Sequence, residues 1–233
     1  MNKLIVASRE VAVPGDLIAE GMNFVAGKNT YRKDEKIYSN RLGLVDVRGS
    51  VIKVIPLSGR YMPQKEDLII GEVKEVGFNS WQVDIGAPFT ANLYMGEGTT
   101  TYIRKDEDLS RYFNVGDKLI GRIISCTSTG SLQITCKGPG LKKIKGGLII
   151  KINPNKVPRA IGKKGSMITM IKELTNTEII VGQNGWVWIN GDALDILKAK
   201  KAIELIDKKG HVKGLTDAIK NMLEKDSRIK PVK

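Results

Sequence analysis

The sequence predicts a multidomain chain, mainly β over its first 137 residues and α+β over the rest. Three observations carry this. Short apolar segments of period two, broken by Gly and Pro, recur up to residue 137 with no strongly periodic helix among them. After residue 147, strand and helix patterns alternate. The charge is uneven: residues 1–64 carry 10 basic and 6 acidic side chains (+4), residues 65–137 carry 8 and 10 (−2), and residues 138–233 carry 20 and 9 (+11). A positive excess gathered on one segment of a +13 chain points to a polyanionic partner.

Residues 1–64 predict a small barrel-like β domain, with strands at 13–19, 36–39, 42–47 and 51–57. Residues 65–137 predict five strands, at 68–76, 81–85, 91–95, 118–125 and 131–137. Alternation puts Trp81, Val83 and Ile85 on one face. A polar segment at 99–114, holding Arg104, Lys105 and Arg111, precedes the fourth strand. Five strands with a long segment before the fourth fit an OB fold. The hairpin turn near Ser128, Thr129 and Gly130 sets Cys126 opposite Leu132 rather than Cys136, so geometry disfavours a disulfide. With no CxxC pair and one histidine, His211 at an expected helix end, no zinc site is read. Lys137-Gly138-Pro139-Gly140 reads as a compact linker into residues 138–233.

That last segment predicts a strand at 148–152, a short helix at 155–161 with Pro158 early in it, and then Gly162-Lys163-Lys164-Gly165. A helix with Met167, Ile168, Ile171 and Leu174 on one face follows. Strands at 178–181 and 186–189 precede a helix that Asp192 caps and whose apolar side holds Ile196, Ala199, Ile203 and Ile206, and further helix is expected at the C-terminus. Alone, GxxG also fits a helix–helix turn with solvated lysines. The flanking order β-α-GxxG-α-β-β-α is that of a type I KH domain, whose loop clamps a single strand. Glycine lets the backbone approach a phosphodiester, and the lysines attract it without reading sequence. Arg159 joins Gly162, Lys163, Lys164 and Gly165 as a candidate RNA contact.

The five-stranded unit resembles the RNA-binding domain named after ribosomal protein S-one, through Gly71-Glu72-Val73-Lys74-Glu75-Val76, Val83-Asp84-Ile85-Gly86 and Val115-Gly116-Asp117-Lys118-Leu119. The order β domain, S-one-type domain, KH domain resembles RNA-binding cap subunits of the archaeal exosome. So do Val13-Pro14-Gly15-Asp16, Thr30-Tyr31, Ile37-Tyr38, the 56–63 segment, and the GxNG signature Gly182-Gln183-Asn184-Gly185. The other archaeal cap type ends in a zinc ribbon, which the missing cysteines exclude. The resemblance implies a non-catalytic subunit. Up to three such caps, alone or mixed with the other cap type, sit on a six-membered phosphorolytic ring and feed the 3′ end of single-stranded RNA into its pore. Residues 1–64 would dock on the ring.

The resemblance also assigns site residues, with departures. S-one-type domains often stack bases on aromatics of the second and third strands. Gln82 holds the first position here, while Tyr94 holds the second and Arg122 lies on the outer face of the fourth strand. In the GxNG turn, Gly182, Asn184 and Gly185 are read as structural, with Trp186 packing against a neighbouring domain. An alternative function is a stand-alone single-stranded RNA binder regulating translation or RNA stability, which would not need a docking domain. A nuclease reading fails on residues: Asp34-Glu35 and Asp106-Glu107-Asp108 are contiguous loop charges that do not converge on a metal. No cofactor and no membrane partner are expected, and a cytosolic location is.

Overall fold

The structure, a computed structural model, describes residues 3–57, 59–104, 107–127, 130–209 and 214–228, with 225–228 by backbone alone. The chain divides into two compact units, Met1–Gly59 and Arg60–Lys233.

The first unit has strands β1 (Lys3–Leu4), β2 (Val11–Ala12), β3 (Leu17–Glu20), β4 (Val25–Ala26), β5 (Thr30–Lys33), β6 (Lys36–Ser39), β7 (Gly43–Arg48) and β8 (Val51–Pro56). They form two four-stranded sheets, ordered β1-β3-β6-β5 and β2-β7-β8-β4. Ala12, Ile18, Ala19, Ile37, Val45, Ile52 and Val54 fill the shared core. Alternation explains the longer strands: in β6, Ile37 and Ser39 are buried while Lys36 and Tyr38 are half-exposed. Asp34-Glu35 forms the two-residue β5–β6 turn, with Lys33 opposite Lys36 and Asp34 at φ +54°. The two-residue strands β1, β2 and β4 are too short to show a period, so the sequence pattern does not predict them. Nor does it predict β5, whose TYRK sequence alternates weakly.

The second unit opens with β9 (Leu68–Val76), β10 (Ser80–Asp84), β11 (Ala91–Tyr94), helix α1 (Met95–Gly98), β12 (Lys118–Cys126) and β13 (Leu132–Thr135). The sheet order β13-β11-β10-β9-β12 closes on itself through β12–β13. The β11–β13 pair is parallel and the others are antiparallel. This is a closed five-stranded barrel of OB type. Trp81 is fully buried, donates its indole N–H to the Phe113 carbonyl at 2.9 Å and meets that ring edge-on at 5.3 Å. Those bonds tie the 99–114 segment to the barrel core. Cys126 stands opposite Leu132, and both cysteines are free thiols. Burial pushes the Cys136 thiol up to about 12, so it stays protonated near neutral pH. Ser128 and Thr129 of the expected turn lie outside the described residues.

Strand β14 (Lys142–Ile144) pairs with β12, extending the barrel sheet past the linker expected at 137–140. Then come β15 (Leu148–Lys151), a 3₁₀ turn at Pro154–Lys156, α2 (Val157–Ile161), α3 (Ser166–Thr175), β16 (Glu178–Val181), β17 (Trp186–Asn190), α4 (Ala193–Lys209) and α5 (Leu215–Arg228). The antiparallel sheet β15-β17-β16 with its helices is the KH fold. Its core joins Val157, Met167, Ile171, Val187, Ile203 and Ile219, the last from α5. His211 lies outside the described residues.

Barrel and KH domain share a second hydrophobic cluster of Ile70, Ile120, Ile144, Trp186 and Trp188. Strand β17 is therefore buried on both faces, with Val187 and Ile189 facing the helices and the two tryptophans facing the barrel. Lys142 and Lys151 lie over the Trp188 and Trp186 rings, at 5.1 and 4.2 Å from their centroids. Each such pair caps an apolar seam with a solvated charge.

Candidate nucleic-acid interface

Two groups of the candidate side chains face solvent. The first is the turn between α2 and α3. Helix α2 stops at Gly162, whose φ of +78° and ψ of 177° no side-chain residue adopts readily. A Cβ there would stand 2.7 Å from both the backbone N and the Cβ of Met167, so the turn closes this tightly only with glycine. Lys164 (φ +53°) and Gly165 (φ +82°) complete the reversal, and Ser166 starts α3. Val157, Ala160, Met167 and Ile171 are buried beneath. A rigid apolar base thus holds out Lys163 and Lys164, both exposed, with exposed Arg159 one turn earlier on α2.

The second group lies on the outer face of the barrel. Trp81 points inward and Gln82, beside it, outward. Gln82 pairs with Asn92, and Asn92 with Gln133, giving a polar row across three strands. One step along, Ser80 pairs with Tyr94, and Thr135 pairs with Arg122. Because β11 and β13 run parallel with Leu93 opposite Ile134, Tyr94 stands beside Thr135. Strand spacing then puts Tyr94 and Arg122 about 10 Å apart on one face, with Thr135 between them. Tyr94 is 41% exposed. Arg122 pairs with Glu66 at 3.7 Å, both side chains well exposed, an ion pair worth roughly 0–1 kcal/mol that a phosphate can displace. Elsewhere on this outer face, Ile70 and Ile120 are covered by the KH tryptophans.

Arg104 and Arg111 are exposed on the segment between α1 and β12, and Lys105 lies outside the described residues. The neighbouring acids serve the local fold. Glu107 accepts from the Tyr112 hydroxyl at 2.9 Å, and Asp108 caps the 3₁₀ turn through the Ser110 amide at 2.9 Å. Among the described residues, no group of three or more His, Cys, Asp or Glu can hold a metal.

The GxNG turn is buried against the barrel. Asn184 is 4% exposed. Its side-chain amide donates to the carbonyls of Ile70 at 2.7 Å and Ile85 at 2.8 Å, and its oxygen accepts from the Ile70 amide at 3.3 Å. The Gln183 amide donates to the Leu68 carbonyl at 2.7 Å. A Cβ on Gly182 would lie 2.3 Å from the Asn184 side-chain oxygen, and one on Gly185 (φ +82°) 2.3 Å from the Ile152 carbonyl. Trp186 packs over Gly86 of the barrel, where an added Cβ would come within 3.1 Å of its indole nitrogen. The turn therefore meets β9 and the end of β10 rather than solvent. No residue pattern signals these backbone partners, since a carbonyl carries no residue identity.

Comparison with known proteins decides the family. Residues 9–58 match the model of the exosome RNA binding protein RRP4 N-terminal domain, and residues 147–195 match a KH domain model. The exosome complex component Rrp4 of Pyrococcus horikoshii is 47% identical over 228 residues, covering 96% of this chain and 85% of its own length. The chain belongs to the Rrp4 family of exosome complex components. The Rrp4 of Methanothermus fervidus is 41% identical, over 94% of this chain and 97% of that protein. A crystal structure provisionally designated an exosome complex RNA-binding protein superposes with a TM-score of 0.68 at 33% identity, covering 73% of this chain and 99% of that one. Among the described residues no helix is long and apolar enough to cross a membrane.

Proposed function

We propose that this Rrp4-family chain is a non-catalytic cap subunit of an exosome. In this reading, residues 1–64 dock on a phosphorolytic hexameric ring. Residues 65–137 and 138–233 collect single-stranded RNA and pass its 3′ end inward for 3′-to-5′ degradation. The observation that carries the reading is the glycine-framed cationic turn at 162–165, exposed on a KH domain fixed to the barrel by the Asn184 bonds. Such a turn supplies sequence-independent grip on phosphates, which suits a subunit that must admit any RNA.

Docking by the first unit is supported by its surface. Val11, Val13, Met22, Val25, Val51 and Ile55 are each 41–70% exposed, a large apolar share for so small a unit. Removing residues 1–59, the whole compact unit, is expected to abolish co-elution with the ring in size-exclusion chromatography. RNA binding by the remaining chain should persist. Co-elution of the truncated chain would place the docking surface elsewhere. A full chain that binds RNA but never joins the ring would favour the stand-alone regulator.

A further inference from the structure

We propose that the solvent face of α4 is a protein-docking surface and that its partner is an acidic amphipathic helix. It uses none of the residues assigned to RNA above.

Helix α4 packs against α2, α3, α5 and β17, with Ala199, Ala202, Ile203 and Ile206 buried. On its other side stand Leu194, Leu197, Lys201 and Lys208, all exposed. They are spaced three, four and seven residues apart, so they form one stripe along the helix. Half-buried Leu205 lies on the same stripe, between the two lysines. A surface helix ordinarily turns polar and charged residues to water. Here Leu194 is 59% and Leu197 51% exposed, one turn apart. Half or more of each leucine therefore stays in water, where it adds no apolar burial to the KH domain.

Charge identifies the partner. The acids of α4 are all engaged: Asp195 with Lys198 at 2.8 Å, Glu204 with Lys200 at 3.8 Å, and Asp207 with Lys156 at 3.7 Å. Lys201, Lys208 and Lys209 are exposed and have no carboxylate partner among the described residues. The stripe thus offers leucines at its N-terminal end and uncompensated lysines towards its C-terminal end. Its complement is a helix whose apolar side covers Leu194 and Leu197 and whose carboxylates reach the lysines. A second copy of this segment is a poor complement, since residues 138–233 carry 20 basic and 9 acidic side chains. Residues 229–233, with two lysines and no acid, do not complement it either. Single-stranded RNA would meet the lysines, but α4 has no aromatic ring on which a base could stack, and the leucines would stay uncovered.

The test is fluorescence anisotropy of a labelled synthetic helix titrated with the full chain. The probe carries leucines at i, i+3 and i+7 with glutamates beside them, and a scrambled peptide of the same composition is the control. The probe should bind saturably, and the scrambled peptide at least about tenfold more weakly, because only the helical probe aligns its leucines on one side. Leu194→Ala with Leu197→Ala should weaken probe binding by at least about tenfold, the scale of taking one leucine out of water. This variant should match wild type in circular dichroism and in affinity for single-stranded RNA, since both leucines are exposed and uncharged. Lys201→Glu with Lys208→Glu should lose the probe and gain a version bearing lysine in place of glutamate. Equal binding of probe and scrambled peptide, no binding of either, or wild-type affinity in the leucine variant would overturn the docking surface. So would loss of RNA rather than of the probe, a wild-type dimer that the leucine variant dissolves, or wild-type binding to phosphatidylglycerol vesicles that the leucine variant loses. Those three results would assign the face to RNA, to a second copy and to a lipid surface. RNA affinity is read in parallel, so failure here leaves the RNA-binding reading standing.

Discussion

Asn184→Ala is expected to cost this chain about 2–5 kcal/mol. It removes both donors to the Ile70 and Ile85 carbonyls and the acceptor for the Ile70 amide, in a site closed to water. Each buried polar group left without a partner costs about 1–3 kcal/mol. For a unit of this size the melting temperature should fall roughly 2–4 °C for each kcal/mol of destabilisation. The effect should be local at first, with barrel and KH domain parting before either unfolds. Trp186 and Trp188 then reach water, and their emission should shift to the red ahead of the global transition. Gln183→Ala is the control. Its backbone amide makes the bond to Leu68, so the side chain can go at roughly 0.5 kcal/mol or less. A stability for Asn184→Ala within that margin of wild type would show that the apolar seam alone joins the two domains.

The second large effect is on RNA. Lys163→Asp with Lys164→Asp should leave the fold intact, because both side chains are exposed and the turn geometry depends on Gly162 and Gly165. Affinity for single-stranded RNA should drop at least tenfold. The slope of log K against log salt should flatten by about 0.7 for each single-strand phosphate that the two lysines no longer neutralise. Preference among RNA sequences should hardly change, since phosphates carry no base identity. Unchanged affinity and slope, with Arg122→Ala losing both, would move the clamp from the KH turn to the barrel.

Much of this architecture is legible in the sequence because its long elements have clean periods. Strands β6, β9 and β16 fall on the expected residues, and the other long strands fall within a few residues of them, since alternation and Gly-rich turns mark both faces and ends. In β17, the run Trp186-Val187-Trp188-Ile189 has no polar face. Burial on both sides explains this, with the KH helices on one side and the barrel on the other. Strands β1, β2 and β4 have two residues each, too few for any pattern. Strand β14 is hidden because Lys142-Lys143-Ile144 is too short and too charged to show a period. It pairs through its backbone, and Lys143 forms an ion pair with Asp117. At the interface, the exposure of Lys163, Lys164, Tyr94 and Arg122 follows from turn chemistry and alternation.

In the proposed function, this chain lends RNA-binding surface to a ring that does the chemistry. The most direct measurement is phosphate-dependent release of nucleoside diphosphates from single-stranded RNA by three samples: this chain, the ring, and both together at limiting RNA. No release is expected from the chain alone, and the mixture should release faster than the ring. The gain should vanish on deletion of residues 1–59 and shrink with the Lys163→Asp, Lys164→Asp pair. Phosphate-dependent release by the purified chain alone, or a ring whose rate the chain leaves unchanged, would contradict the cap role.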